Sequence, residues 1–401
     1  MASQLTLSFH RDRFTWLAYG SLGFYAFLQA AIGPTLPYLR EELGLNYTIG
    51  GLHITLFAAG IILASLTSAE LAQRIGRNRL FWGGSLGMSF GALLFISAQA
   101  AILTLLGSFL MGYLGSYVLV MVQSTLSDRH QQYRTIALTE SQITASGLAT
   151  LSPLVLALGA STFLSWRLVY AIGIVLCFLL FITNITTPIP PSKPRKRKKA
   201  PQYTADTIVS TATDDEEATL PRIFWLIWLV IGIGVAVEWS IVAWTADYLA
   251  NAHHLPQEQA SGMVSVFLAA MVTGRFIGSR LTRHMRSENV LWIAAGLTSI
   301  GFIVLILASG GILPILGLLI CGLGVANLFP MGQAIASEIG AELSDITSGY
   351  VSLASGCAML IAPQILGALA DVIGIESAFQ MIIVLLIGYV LMYSIAQYLR
   401  R

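Results

Sequence analysis

The sequence predicts an all-α polytopic membrane protein, and three observations carry that expectation. Hydrophobic residues make up 56% of its 401 positions and charged residues only 10%, where a soluble chain carries about a quarter charged. Apolar windows of about 20 residues, the length that crosses a bilayer as a helix, recur twelve times. One long polar stretch divides them six and six.

The first six windows fall near 14–37, 49–71, 79–98, 102–126, 136–160 and 166–187. The second six fall near 223–249, 257–282, 289–309, 312–336, 347–369 and 376–398. Between them, residues 188–221 are rich in proline, lysine, threonine and acid and lack apolar periodicity. Such a segment cannot bury a core and is expected to be a flexible linker. The expected organisation is therefore a bundle over 1–187, a linker over 188–221 and a second bundle over 222–401.

Basic residues set the expected orientation. With the N-terminus inside, nineteen of the 22 lysines and arginines lie in cytoplasmic segments, from Arg11 and Arg13 through the linker run "KPRKRKK" to Arg400 and Arg401. Arg40 and Arg167 fall outside, and Arg275 lies within a span. The positive-inside rule then places both termini and the linker in the cytoplasm of a cell-membrane protein. The basic run reads as a topology anchor near anionic lipid, with no role in nucleic-acid binding. The polar N-terminus lacks a small-residue cleavage site, and no removable signal peptide is expected.

The halves repeat. A shift of 210 lays Tyr38, Leu39 and Leu45 over Tyr248, Leu249 and Leu255, then Phe57 over Phe267, Trp82 over Trp292 and Gly112 over Gly322. Parallel six-helix repeats imply a pseudo-two-fold axis along the membrane normal, with a site at the repeat interface near the midplane.

Within this frame, "AELAQRIGRNRL" (69–80) resembles the loop between the second and third helices of the major facilitator superfamily, where a glycine precedes D-R-x-G-R-[RK]. Arg74, Gly76 and Arg77 match; Ala69 and Gln73 replace the first glycine and the aspartate. "GRFIGSRLTRH" (274–284) is a weaker copy in the second half. "SWRLVYAIG" (165–173), "GLGVANLFPMGQAIASE" (322–338) and "LIAPQILGALADVIG" (360–374) resemble sugar-type and related bacterial members. The resemblance implies the family's fold and transport by alternating access, and it leaves the substrate open. Drug/proton antiporters of the family carry R-x-x-x-G in the fourth helix and G-P-x-x-G-G in the fifth. Here Ser108 replaces the arginine, and "SPLVLA" (152–157) keeps only Pro153.

Glu238 is the only ionisable residue between Ile223 and Trp244. The resemblance puts the seventh span on the wall of a central cavity. An intramembrane acid there is expected to couple protons or bind substrate; the plainer reading is a hydrogen-bonded residue at a kink beside Gly232 and Gly234. Arg275 is its candidate partner, yet spacing at 1.5 Å per residue leaves about 10 Å of height between the two. A direct pair is therefore not expected, and Arg275 reads either as part of a cytoplasmic gate or as a snorkelling side chain. With Arg275, the gate candidates are Arg74, Gly76, Arg77 and Glu140, whose basic members can hold helix C-termini and carboxylates. Glu140 reads more simply as a helix-start acid favoured by the dipole, with a gate ion pair to an arginine of the 69–80 loop as the second reading.

Further cavity candidates are Tyr25 and Gln29 on the first span, Tyr113, Tyr117 and Gln123 on the fourth, Trp239 and Trp244 on the seventh, and Asn327 on the tenth. Aromatic walls with a few amide or hydroxyl groups suit sugars or amphipathic organic molecules; each residue alone could equally be a packing or interfacial residue. Cys177, Cys321 and Cys357 are far apart and read as free packing residues. His53 reads as a packed or rim residue. His253 and His254 lack further ligands, so no metal and no cofactor is expected.

The expected function is a secondary transporter of a small organic solute, by proton symport. Proton-coupled multidrug efflux is the alternative. A non-transporting membrane sensor or assembly protein with the same fold is the alternative of another class. No enzyme constellation is present at plausible spacing. The expected partners are a small solute, a proton or other coupling ion, and the lipid bilayer, with the chain acting as a monomer.

Overall fold

The computed structural model describes residues 9–97, 99–190, 220–340 and 344–400, so all but the edges of the expected 188–221 linker lie outside the described residues. The first half contains α1 (Arg13–Leu43), α2 (Tyr47–Arg74), α3 (Arg77–Ser97), α4 (Ala101–His130), α5 (Arg134–Gly159) and α6 (Arg167–Asn184). The second contains α7 (Arg222–Ala252), α8 (Gln257–Leu281), α9 (Ser287–Leu307), α10 (Leu313–Ile339), α11 (Ser344–Ile373), α12 (Ile375–Gln380) and α13 (Ile382–Arg400).

Among the described residues, ten stretches are long and apolar enough to cross a membrane. One of them, Ala101–Gly159, has 59 residues and would be about 88 Å long if straight. It turns back at Gln131, whose φ is 35°, and so makes two crossings. The 31-residue α1, outside those ten stretches, packs against α5 and α7. Two differences from the sequence expectation have local causes. The last apolar stretch breaks at Met381 into α12 and α13. At the other end of the chain, α1 runs on to Leu43 through Pro34 and Pro37, which each remove a backbone donor. There Ser261 Oγ of α8 donates to the Pro34 carbonyl at 3.0 Å, and Thr35 Oγ1 donates to the Ala31 carbonyl at 2.8 Å.

Large apolar side chains such as Leu66, Leu158 and Val372 point outward. In water this surface would be costly; in hydrocarbon it is the expected solvent-facing side.

The repeat read from sequence extends to individual backbone contacts. Gly107 of α4 lies against α3, where an added Cβ would come 2.9 Å from the Phe95 nitrogen. Gly317 of α10 lies against α9, where a Cβ would come 2.7 Å from the Leu305 nitrogen. Both residues of each pair are related by 210, and so are the Gly112–Phe57 and Gly322–Phe267 approaches. Small residues let helices meet backbone to backbone, which replaces the hydrophobic drive that lipid removes.

The face where α1 begins and α13 ends is called the terminal face below, and its opposite the distal face. On the terminal face each half carries its own ion-pair cluster. Asp12 caps α1 by accepting from the Thr15 nitrogen at 2.8 Å and Thr15 Oγ1 at 2.7 Å, and it pairs with Arg129 at the end of α4. Arg400 pairs with Glu288 and Glu338 in the other half. Burial alone would raise the Asp12 carboxyl, but the bonds from Thr15 and Arg129 outweigh it and hold the group below its ordinary value. The cap therefore stabilises fully above the usual carboxylate range and fades as pH falls through the lowered value. Asp12→Ala is expected to destabilise the protein by about 1 kcal/mol at neutral pH. Denaturation in detergent should show that difference shrinking towards pH 3.

Candidate functional site

Among the described residues, four helix pairs make the main contacts between the halves: α1 with α7 and with α8, α2 with α11, and α5 with α8. The polar contacts found between halves gather towards the distal face. Arg40 at the end of α1 pairs with Asp247 of α7 at 2.6 Å, and its guanidinium lies 3.3 Å from the Tyr47 ring centroid. Asp247 is nearly sealed from solvent, with its side chain 2% exposed. Asp371 of α11 accepts from the Tyr47 and Thr48 nitrogens at 2.7 and 2.8 Å, so a carboxylate from one half caps a helix of the other. Gln257 donates to Glu41 at 2.8 Å, and Thr55 donates to the Leu360 carbonyl at 2.8 Å. The backbones also close up: a Cβ on Gly33 of α1 would lie 2.5 Å from the Val242 carbonyl oxygen of α7.

Towards the terminal face from this seal, α1, α5, α7 and α8 enclose a cavity of about 210 Å³. Its polar side chains are Gln29, Gln142, Ser146, Glu238 and Arg275; Trp239 and Met271 supply apolar wall. Glu238 lies about 24 Å along α7, near the middle of the helix. Arg275 Nη2 is 3.8 Å from Glu238 Oε1, with the two side chains 48% and 18% exposed.

That contact overturns the expectation that the two charges stand too far apart. Helical side chains lean towards the N-terminus of their own helix. α7 and α8 are antiparallel, so Glu238 leans to the terminal face and Arg275 to the distal face. The two side chains close the height that their Cα positions leave open.

The remaining sequence candidates divide by environment. Gln29, Glu238, Trp239 and Arg275 meet at the cavity. Tyr25 is buried against Phe57, with ring centroids 6.4 Å apart. Tyr113 stacks on Phe109 at 5.9 Å, and the Tyr117 hydroxyl lies 2.8 Å from Thr67 Oγ1. Gln123 is exposed on α4, away from the cavity lining. Trp244 belongs to the distal seal, where its indole N–H donates to the Pro363 carbonyl at 2.9 Å. Asn327 ties α10 to α8 by donating to the Gly274 carbonyl at 2.9 Å. His53 is buried, with Nε2 2.8 Å from Thr104 Oγ1.

Of the gate candidates, Arg74 pairs with Glu70 in its own helix and Arg77 with Asp128 at 2.8 Å. Gly76, at φ 86°, makes the turn between α2 and α3. Glu140 is held by Arg11 at 2.5 and 2.7 Å and by the Tyr19 hydroxyl at 2.9 Å, so its partner is the N-terminal segment instead of the 69–80 loop.

The sequence reading missed the distal latch of Arg40, Asp247 and Asp371. A usable signal existed. Arg40 and Asp247 stand near the distal ends of α1 and α7, which the 210 shift pairs, and they carry opposite charges at similar depth.

Comparison with known proteins fits this architecture. The sequence model described as Major Facilitator Superfamily matches residues 18–348. An uncharacterized MFS-type transporter of Yersinia pestis is 26% identical over 156 residues, 37% of this chain and 39% of that protein, so the match spans about two fifths of that relative's length. A glucose/galactose transporter of Brucella abortus is 26% identical over 377 residues, 87% of this chain and 85% of that protein. Among solved structures, a bacterial homologue of the human lysosomal transporter Spinster, inward-facing and occupied, aligns with a TM-score of 0.76 at 14% identity and covers 98% of both chains.

Proposed function

The chain belongs to the Major Facilitator Superfamily, and from that premise we propose that it is a secondary transporter driving a small organic solute across the cell membrane by proton symport. The observation that carries the reading is a lone carboxylate–guanidinium contact in a midplane cavity that the halves seal on one face. Such a seal serves alternating access when the same halves can part at the distal face and close at the terminal one. The arrangement of the basic residues supports a cytoplasmic terminal face, which makes the described conformation inward-facing. The two bundles, 1–187 and 222–401, are the rocking units, and 188–221 is the linker between them.

In this scheme Glu238 carries the proton, since an intramembrane acid beside one cation has two accessible charge states. Gln29 and Gln142 orient polar groups of the solute, and Trp239 packs against its apolar body. Arg74, Gly76, Arg77 and Glu140 lie on the terminal face, where the closing half of the cycle takes place. The cavity is smaller than the ~300–1,000 Å³ typical of drug-sized pockets, which favours a small solute over a bulky drug.

The test is flux in proteoliposomes. Labelled sugars, organic acids, amino acids and organic cations are offered with and without an inward pH gradient. The expected result is concentrative uptake of one class that a protonophore abolishes. Flux of every class at the level of protein-free liposomes would overturn the proposal.

A further inference from the structure

We infer that the solute is a small organic monoanion, such as a monocarboxylate, bound by Arg275, and that it loads together with one proton on Glu238. This rests on the proton-symport reading above and adds the substrate class to it.

The geometry supplies the first argument. The Arg275–Glu238 approach, 3.8 Å, is too long for a hydrogen bond. Among the described residues no hydrogen bond to the Arg275 side chain is found, although it stands 48% exposed at the cavity. A guanidinium offers five donors in a planar fork that matches a carboxylate. The acid holds the arginine in place without using those donors, which remain available to a second anion.

Charge accounting supplies the second. Arg275 and Glu238 are the only charged side chains among the cavity-lining residues. α1 presents Gln29 to the acid and α5 presents Gln142 and Ser146, all neutral; α10, α11 and α13 contribute nothing ionisable to this lining. Empty, the site is neutral as an ion pair. Glu238 is largely buried, with 18% of its side chain exposed, and a buried charge left without a partner is unfavourable, so a solute that draws Arg275 away must leave the acid neutralised. A neutral or zwitterionic solute keeps the site neutral with Glu238 ionised and needs no proton. A cation taking Glu238 meets the half-exposed Arg275 as a like charge and leaves the site net positive. A monoanion taking Arg275 strands Glu238, and one proton from the water at the open face, bound to its carboxylate oxygen, restores neutrality. If Glu238 is the proton carrier, a monoanion is the cargo that makes its protonation obligatory.

Size is consistent with this. A volume of about 210 Å³ lies below the ~300–1,000 Å³ of drug-sized pockets. That holds a compact organic acid, with Trp239 and Met271 against its apolar portion.

The experiment uses the full chain in detergent and in proteoliposomes, with lactate, pyruvate and benzoate as monoanions, mannitol as a neutral probe and betaine as a zwitterion. The expected result is saturable binding of a monoanion with close to one proton taken up per anion in weak buffer, and uptake insensitive to an imposed membrane potential. Arg275→Gln should weaken that binding by at least about tenfold, from the worth of charge-assisted bonds. Arg275→Lys, which keeps the charge and loses the fork, should bind measurably but more weakly and retain proton uptake. Glu238→Gln should bind the anion at least as tightly as the wild type, with no proton uptake and no loss of affinity at higher pH.

Anion binding without proton uptake would overturn the inference, as would Arg275→Gln or Arg275→Lys affinities within twofold of wild type. Proton-driven uptake of mannitol alone would also overturn it while leaving proton symport standing. Absence of gradient-driven flux for every probe class would overturn both, so the two failures are distinguishable.

Discussion

Replacing Glu238 with glutamine is expected to end concentrative uptake while leaving exchange of labelled for unlabelled solute intact. With one proton per solute, each unit of pH gradient can sustain about a tenfold accumulation, because both quantities are worth about 1.4 kcal/mol per decade. A glutamine cannot carry the proton, so the accumulation ratio should fall to about one whatever the gradient. The amide is close in shape to a protonated carboxyl, and the cavity should keep its form. Counterflow should therefore survive, since the loaded carrier can still reorient when no proton has to leave. Measuring accumulation and counterflow on the same proteoliposome preparation separates the two effects. A variant that still concentrates solute in proportion to the gradient would remove Glu238 from the coupling role.

The second large effect concerns the distal latch. Arg40→Ala leaves Asp247 almost wholly buried with no cation beside it. Removing one member of a buried pair typically costs about 3–5 kcal/mol, because the surviving charge is uncompensated. The cost falls on the distal-closed state, since parting of the halves at that face would hydrate Asp247. The ratio of distal-closed to distal-open molecules should therefore drop by about two to three and a half orders of magnitude. Spin labels at Glu41→Cys and Gln257→Cys, neighbours across the seal in the described conformation, report the change as a short distance giving way to a long one. The double variant Arg40→Ala with Asp247→Ala should recover much of the short-distance population, because the stranded charge is gone. An unchanged distance distribution in Arg40→Ala would show that the pair does not hold the face closed.

Much of the fold was legible because lipid imposes simple rules on a sequence. A bilayer demands apolar windows of fixed length, and the repeat could be read as a shift of 210 at Phe57, Trp82 and Gly112. The structure carries that shift down to backbone approaches such as Gly107 with Phe95 and Gly317 with Leu305. Helix ends were less legible. The apolar window ended near 37, yet α1 continues through Pro34 and Pro37 to Leu43.

For the site, Glu238 was visible as the lone charge in an apolar run. Its contact with Arg275 was not, because residue spacing gives Cα heights and says nothing of the side chains leaning towards each other. Trp244 and Asn327 looked like cavity residues by type and depth. Their hydrogen bonds to Pro363 and Gly274 place them in helix contacts instead.

A polytopic helical membrane protein with an internal repeat, and Glu238 deep in its seventh apolar window, could be read from the residues alone. Those properties follow from local hydropathy, periodicity and internal repetition, which need no knowledge of packing. Which charges meet came from packing: Glu238 with Arg275 at the cavity, Arg40 with Asp247 at the distal seal, and Glu140 with Arg11 at the terminal face. Each pairing joins two separate helices. Its geometry depends on helix depth, rotation and side-chain lean, which are settled when the helices pack.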